Sequence, residues 1–334
     1  MNIVFTSDNN FVRQMSAAII SILENNKDEQ IKIYILSKGI EKANQDCLLQ
    51  MVKDYDQEMF VIELGDVHQY FETKIDTGGW NDIVLSRLFL DRILPRDVER
   101  VIYLDGDVIV RHSLKSLWNT DLKGCILGMV MEPTTKKERK ELLGIPQNGN
   151  YYNAGVLLID LKRWHQRNAG ERIVNFFKSH GGQLFANDQD AINGELKDEI
   201  YPLDLTYNYC NTYYFYPYRA VKKMVGRDDY YSKEEYQKMI MDPCIVHYLG
   251  EERPWREGNR HVFKDDFVRY YNLTIYGKND ERKDGVLETG WGRYFFVWNI
   301  FNSVMRLFPM LRLTIINALI PIVMDIRKRN RNRK

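Results

Sequence analysis

Apolar residues recur along the first hundred positions with two alternating periods. Ile3–Thr6, Ile31–Leu36, Met59–Leu64 and Val101–Leu104 are short apolar runs, the pattern of strands buried on both faces. Between them, Phe11–Leu23 places Val12, Met15, Ala18, Ile19, Ile22 and Leu23 on one helical face. Glu41–Tyr55 reads as a second helix, and Asp82–Ile93 as a third, closed by Pro95. This alternation predicts an α/β protein with a Rossmann-like, mainly parallel central sheet and helices on both faces. Ligands on such sheets bind beyond the carboxyl ends of the strands. Two polar segments follow strands, Ser7-Asp8-Asn9-Asn10 and Asp105-Gly106-Asp107, and are therefore expected to share one cleft.

The pattern loosens in the middle of the chain. Tyr151–Leu161 carries Asn153-Ala154-Gly155 and then the apolar run Val156–Ile159. Leu161–Phe177 predicts one helix. Asn187–Leu196 predicts another, with Asp188 and Asp190 in its first turn, where the helix dipole favours acids. Residues 207–219 are crowded with tyrosine; Tyr213, Tyr214, Tyr216 and Tyr218 suit either an acceptor surface or core packing. Beyond a break near Asp280–Thr289 lie two uncharged or nearly uncharged apolar segments, Tyr294–Met305 and Leu313–Met324. Each is shorter than the ~20 residues that span a bilayer. Six of the last eight residues are Lys or Arg. Short apolar helices beside a polybasic run predict a tail, residues 281–334, that lies flat on an anionic leaflet through residues 291–334. Such a tail is expected to be separable: its removal should free the protein from membranes and spare catalysis.

Composition narrows the class. With 334 residues, 44% hydrophobic and 28% charged, the chain is globular. Residues 291–334 hold nine Lys/Arg against one acid, Asp325; the tail carries +8 and the rest −7 of a net +1. An acidic body argues against nucleic acid as a partner. The cysteines at 47, 125, 210 and 244 have neither metal-ligand spacing nor a compact disulfide pattern, and fit free thiols in a reducing cytosol. The N-terminus opens directly on a strand, without the basic start and apolar core of a signal peptide. A cytoplasmic protein, peripheral on the inner face of the plasma membrane, is the expectation. The chain has no Gly-x-Gly-x-x-Gly after the first strand and no phosphate-binding Gly-Lys-Ser/Thr loop, which weakens dehydrogenase and nucleotide-hydrolase readings.

Asp105-Gly106-Asp107 carries the chemistry. Two carboxylates one residue apart at a strand end can close on a divalent cation; the bare triplet fits a solvated turn equally well. Here it lies between Val101–Leu104 and Val108-Ile109-Val110, where unpaired carboxylates would be costly and a cation removes that cost. Far downstream stands His247-Tyr248-Leu249-Gly250-Glu251-Glu252-Arg253-Pro254-Trp255, preceded by the strand-like Cys244-Ile245-Val246. With this second motif the chain resembles glycosyltransferase family 8, the retaining nucleotide-sugar enzymes of the GT-A fold that include bacterial lipopolysaccharide galactosyl- and glucosyltransferases. The family pattern is His-x-x-Gly-x-x-Lys-Pro-Trp; this chain departs from it in having Arg253 at the Lys position. Five motifs in the family's order spread the resemblance over roughly residues 1–260.

The resemblance implies a GT-A catalytic domain over residues 1–280, with a nucleotide-binding half to about 125 and an acceptor half over 126–280. It implies that Asp8 and Asn10 bond the uracil edge and that Phe11 stacks on the ring; Asp8 is also placed to cap a helix. Arg87 would contact donor sugar and diphosphate, together with Gly250 and Arg253. Asp105, Asp107 and His247 would hold Mn²⁺, with Mg²⁺ the second choice for such a donor set. Asn153 and Asp188 would bond sugar hydroxyls, Gly155 would allow close approach of the chain, and Gln189 would sit beside the anomeric carbon. Asp190 is a catalytic candidate or a helix cap. The implied reaction moves glucose or galactose from a UDP-sugar to a glycan, glycolipid or glycoprotein. Two rival readings are an Asp-x-Asp phosphatase of the haloacid dehalogenase type and a non-catalytic, membrane-bound sugar-binding protein.

Overall fold

The computed structural model describes residues 1–65 and 82–331. Among them, the strands β1 (Asn2–Asp8), β2 (Lys32–Lys38), β3 (Glu58–Glu63), β4 (Arg100–Leu104), β6 (Leu127–Met131), β7 (Tyr152–Asp160) and β8 (Ile200–Leu203) form one sheet in the order β3-β2-β1-β4-β7-β6-β8. The β3-β2-β1-β4 half is parallel, and β7 runs antiparallel to both β4 and β6. Alternate strand residues feed two cores. Ile3, Phe5, Ile33, Ile35, Ile102, Leu104, Val156 and Leu158 pack on one face. Val4, Tyr34, Leu36, Val101, Tyr103, Leu157 and Ile159 pack on the other. Both faces are covered, which is why these strands read as unbroken apolar runs.

Sheet order brings the polar segments together. β1 lies between β2 and β4, so the order reverses direction there, and the cleft of an α/β sheet opens at such a point. A second, two-stranded sheet pairs β5 (Val108–Val110) with β9 (Ile245–His247), antiparallel, with Val108 opposite His247. That pairing carries a residue from far down the chain to the acidic pair.

Two sequence-predicted helices are corrected. Asp82–Ile93 is not one α-helix: Asp82–Phe89 winds as a 3-10 helix and only Leu90–Ile93 is α-helical. The 3-10 winding has three residues per turn, so it aligns Val84 and Arg87 on one edge, and both line the cavity described below. Leu161–Phe177 is likewise two helices, Leu161–Gln166 and Ala169–Ser179. The chain turns at Asn168, which adopts φ 51°, a conformation Asn tolerates. The turn lets Gly170 press against the Leu88 carbonyl, where a Cβ would lie 2.5 Å away.

The tail forms two helices, Gly292–Met305 and Pro309–Arg331. The last three residues, 332–334, lie outside the described residues. No helix among the described residues is long and apolar enough to cross a membrane.

Candidate functional site

The site is built where β4 ends, and three backbone bonds fix its frame. The Asp105 amide donates to the Gly155 carbonyl at 2.9 Å and the Tyr248 amide to the Asp107 carbonyl at 2.9 Å. The His247 amide donates to the Tyr209 carbonyl at 2.8 Å. Within this frame a carboxylate oxygen from each of Asp105 and Asp107 and a ring nitrogen of His247 all lie within 4.8 Å of one another. His247 Nε2 is 3.2 Å from Asp107 Oδ1 and 3.8 Å from Asp105 Oδ2.

A chain of hydrogen bonds sets which ring nitrogen faces the acids. The Gly155 amide donates to Asn153 Oδ1 at 2.9 Å, which makes that atom an acceptor. Asn208 Nδ2 donates to the same oxygen at 2.9 Å, which leaves Asn208 Oδ1 facing His247. His247 Nδ1–H therefore donates to Asn208 Oδ1 at 3.0 Å, and Nε2 points at the acidic pair. This is how ring orientation is fixed in metal-binding histidines. Gly155 is required beside it, because a Cβ there would lie 2.0 Å from His247 Cε1. Burial lowers the pKa of His247, but Asp107 and then Asp105 outweigh it and the net shift is upward. Burial raises that of Asp107, yet His247 and Arg253 bring it below the usual carboxylate range. Two oxygen donors and one imidazole nitrogen, converging and charge-coupled, fit a divalent cation.

Arg87 is 3% exposed and ties the acidic pair to the helix Asn187–Glu195. It donates to Asp105 Oδ1 at 2.9 Å and to the Ala154 carbonyl at 2.6 Å. Its Nε lies 3.1 Å from Asp188 Oδ2, and its guanidinium sits 4.3 Å from the centre of the Tyr103 ring. Burial alone would lower its pKa, but Asp105 and Asp188 raise it. Burial pushes Asp188 up to about 6, with Arg87 opposing. A cavity of about 150 Å³ is lined by Arg87, Asp105, Asn153, Asp188, Gln189 and His247, among others. Both hydrogen bonds of the Asn153 side chain use its oxygen, so its amide N–H groups are available to a ligand.

Gln189 is held at both ends. The Ala154 amide donates to its Oε1 at 2.9 Å, and its Nε2 donates to the Tyr151 hydroxyl at 3.0 Å. That hydroxyl donates to Asp190 Oδ1 at 2.6 Å. Asp190 sits behind Gln189 and away from the cavity lining. It is 1% exposed, does not line the cavity, and pairs with Arg139 at 2.6 Å while accepting from the Ala186 amide at 2.9 Å. Through Tyr151 it is linked to the Gln189 side chain.

The segment 8–11 lies beside the acidic pair. Asp8 Oδ1 accepts from the Asn10 amide at 3.0 Å, capping the 3-10 turn Asn9–Phe11, and the Asn10 side chain is exposed. A Cβ on Gly106 would lie 3.0 Å from the Phe11 ring, so Phe11 borders the acidic pair directly. Phe11 meets Trp255 edge to face at 5.8 Å, and the Arg253 guanidinium lies 5.5 Å from Phe11 and 5.6 Å from Trp255. Arg253 NH2 is 3.4 Å from Asp107 Oδ2, and among the described residues its buried Nε has no hydrogen-bond partner. An orphaned guanidinium N–H beside a cation site suits a diphosphate. Gly250 turns the loop at φ 66° and does not itself line the cavity, whereas Leu249 does.

All the predicted site residues except Asp190 thus gather around the carboxyl ends of β1 and β4 or on the loop above them. Sequence reasoning missed Asn208, Tyr151 and Arg139, which bond other side chains around the site. Asn208 stands at the start of the tyrosine-rich stretch, whose aromatic signal masks it.

Comparison with known proteins agrees with this arrangement. The sequence model of the family described as glycosyl transferase family 8 matches residues 2–258. General stress protein A of Bacillus subtilis is 27% identical over 278 residues, covering 82% of this chain and 94% of that protein. The lipopolysaccharide 1,2-glucosyltransferase of Escherichia coli K12 is 25% identical over 291 residues, 85% of this chain and 81% of that protein. Among solved structures, the galactosyltransferase LgtC in complex with donor and acceptor sugar analogs superposes with a TM-score of 0.73 at 25% identity, covering 86% of this chain and all of that one.

Proposed function

The chain belongs to glycosyl transferase family 8, and from that premise we propose that it is a retaining, Mn²⁺-dependent hexosyltransferase. Its donor is UDP-glucose or UDP-galactose, and its acceptor is a surface glycan, glycolipid or glycoprotein. The observation that carries this reading is the convergence of Asp105, Asp107 and His247 within 4.8 Å, next to Arg253, whose Nε has no hydrogen-bond partner among the described residues. The similarity to proteins named as lipopolysaccharide glucosyl- and galactosyltransferases supports a hexose and a glycolipid-like acceptor.

A divalent cation held by Asp105, Asp107 and His247 would neutralise the charge that develops on the departing diphosphate. Arg253 adds a fixed positive charge on the same phosphates; as Arg it can bond them bidentately, where a Lys would act as a point charge. Asn153 and Asp188 orient the sugar hydroxyls. The anomeric C–O bond breaks and UDP leaves with the bonding pair. The acceptor hydroxyl attacks on the face UDP vacates, and its proton passes to a departing phosphate oxygen. A covalent intermediate would need a nucleophile on the opposite face. Gln189 Oε1 already accepts the Ala154 amide, and an amide oxygen is weakly basic, so Gln189 serves as a polar wall to the developing positive centre.

The tail is read as the part that meets the membrane. Phe296, Val297, Ile300, Val304, Leu307, Phe308 and Leu311 are exposed along the two tail helices and the turn between them, and the chain continues into a basic run. Apolar side chains beside Lys and Arg suit an anionic leaflet, with the body on its cytoplasmic side.

The test is a screen of UDP-sugars with Mn²⁺, reading released UDP. One UDP-hexose is expected to be turned over, Asp107→Ala to abolish turnover, and intact-mass spectra with donor to show no glycosyl adduct. UDP-sugar binding without any turnover would replace the enzyme by a sugar-binding protein. An adduct on Gln189 or Asp190 would replace same-face attack by double displacement.

A further inference from the structure

One buried acid at the edge of the site is not used by the reaction above. Glu252 lies inside the His247–Trp255 loop and is 9% exposed. Among the described residues no Lys, Arg or His lies within ion-pairing distance of it. Its carboxylate accepts three neutral donors instead. Asn259 Nδ2 donates to Oε2 at 3.0 Å, while Trp298 Nε1 and, at 3.5 Å, Asn302 Nδ2 donate to Oε1. Trp298 and Asn302 belong to the first tail helix.

The contact continues into the second tail helix. Arg312 is 4% exposed and donates to Asn302 Oδ1 from Nε at 3.2 Å and from NH2 at 3.0 Å. Its NH1 donates to the Tyr216 hydroxyl at 2.9 Å, and its guanidinium lies 3.8 Å from the Phe215 ring centre. Arg312, in an aromatic pocket, is bonded to an amide that is bonded to the Glu252 carboxylate, and its charge acts on that carboxylate across the amide, which makes a continuous line from the tail to the loop. On the other side of the loop, Trp255 Nε1 donates to Glu288 Oε1 at 2.9 Å and Arg256 Nε to Glu288 Oε2 at 2.7 Å. Arg256 also packs 3.8 Å from the Trp291 ring. Phe295, on the same helix as Trp298, is fully buried.

We propose that the tail is part of the donor site: Trp298, Asn302 and Arg312 act through Glu252 as positioning residues that hold Arg253 toward Asp107. The peptide unit after Glu252 carries Arg253, so a displacement of one side chain is felt at the next. This inference rests on the reading of Arg253 as the diphosphate contact. It also replaces the expectation of a separable tail, because deleting residues 291–334 would strip Glu252 of two of its donors.

The experiment uses full-length protein and measures UDP affinity with Mn²⁺ by calorimetry, and KM and kcat for the donor. Trp298→Phe removes the indole N–H and keeps an aromatic ring at the position that stacks on Phe301. It is expected to weaken UDP affinity and raise donor KM roughly tenfold, the scale of other supporting-residue changes, with kcat much less affected. Adding Glu252→Gln, which removes the under-bonded charge, is expected to restore part of the affinity. Asn302→Ala, a milder change at the same carboxylate, is expected to act in the same direction and serves if Trp298→Phe does not fold. Unchanged UDP affinity and donor KM in the folded variants would overturn the positioning role while leaving the transferase reading intact. Failure of the unaltered protein to bind UDP with Mn²⁺ would overturn both.

Discussion

At the scale of single residues, the three candidate metal ligands depend on residues that are not ligands themselves. Asn208 fixes His247 in the tautomer that turns Nε2 to the acids, and Gly155 makes room for the ring. Asn208→Ala is therefore expected to weaken Mn²⁺ binding about 10–100-fold. Gly155→Ala is expected to do at least as much, because its Cβ overlaps the imidazole at 2.0 Å and His247, held on a paired strand, has little room to retreat. Titration of each variant with Mn²⁺ in the presence of UDP checks this; affinities equal to the unaltered protein would remove the second layer from the account. Arg87 illustrates a different economy. It is buried between two carboxylates, and both of its acidic partners raise its pKa, so it is a permanent cation at the base of the cavity. Residue types announced Asp105, Asp107 and His247 in the sequence. Tyr151, Arg139 and Asn208 carried no such mark, because their partners lie far away along the chain.

At the scale of elements, the loop after β9 is the part that most needs holding. It starts at His247, passes Gly250 and Arg253, and ends at Trp255. Its backbone is anchored where Asn211 Nδ2 donates to the Leu249 carbonyl at 2.7 Å, and Asn211 Oδ1 accepts from His261 Nε2 at 3.0 Å. The Phe263 amide donates to His261 Nδ1 at 3.1 Å, so His261 works as a neutral ring. Burial lowers its pKa from 6.5 to about 3. Between those two values the unfolded chain takes up a proton that the folded protein refuses, so stability falls as pH drops through that window. The cost approaches about 1.4 kcal/mol per pH unit for one group. His261→Gln is expected to flatten this slope between pH 6 and 4 in urea unfolding, whatever it does to absolute stability; an unchanged slope would mean that His261 is not buried neutral. The elements also show where periodicity is blind. Asp82–Phe89 has a helical pattern, yet 3-10 winding wins because it aims Arg87 into the cavity. The Leu161–Phe177 pattern is unbroken by Gly or Pro at the turn, yet the chain bends at Asn168 so that Gly170 can reach Leu88.

At the scale of the whole molecule, the tail faces two ways. Phe295 and Arg312 are buried against the body, whereas Phe296, Ile300, Val304 and Leu307 are exposed. Replacing those four exposed residues with Ser is expected to reduce flotation with anionic liposomes strongly and to leave donor turnover in solution nearly unchanged, since none of them contacts the loop network. Liposome binding equal to that of the unaltered protein would assign the exposed face to something other than a membrane. The sequence by itself determined the α/β layering and the family, and it marked the residues whose chemistry is intrinsic to their type: paired acids, an imidazole, a guanidinium. Local periodicity and residue chemistry are properties of neighbouring positions, so they can be read in order along the chain. Only the tertiary structure decided that Asp190 is buried behind Gln189, that Arg87 sits on a 3-10 turn, and that the tail grips Glu252. Each of those depends on which distant groups share a low-dielectric space, and that is set by how the layers pack.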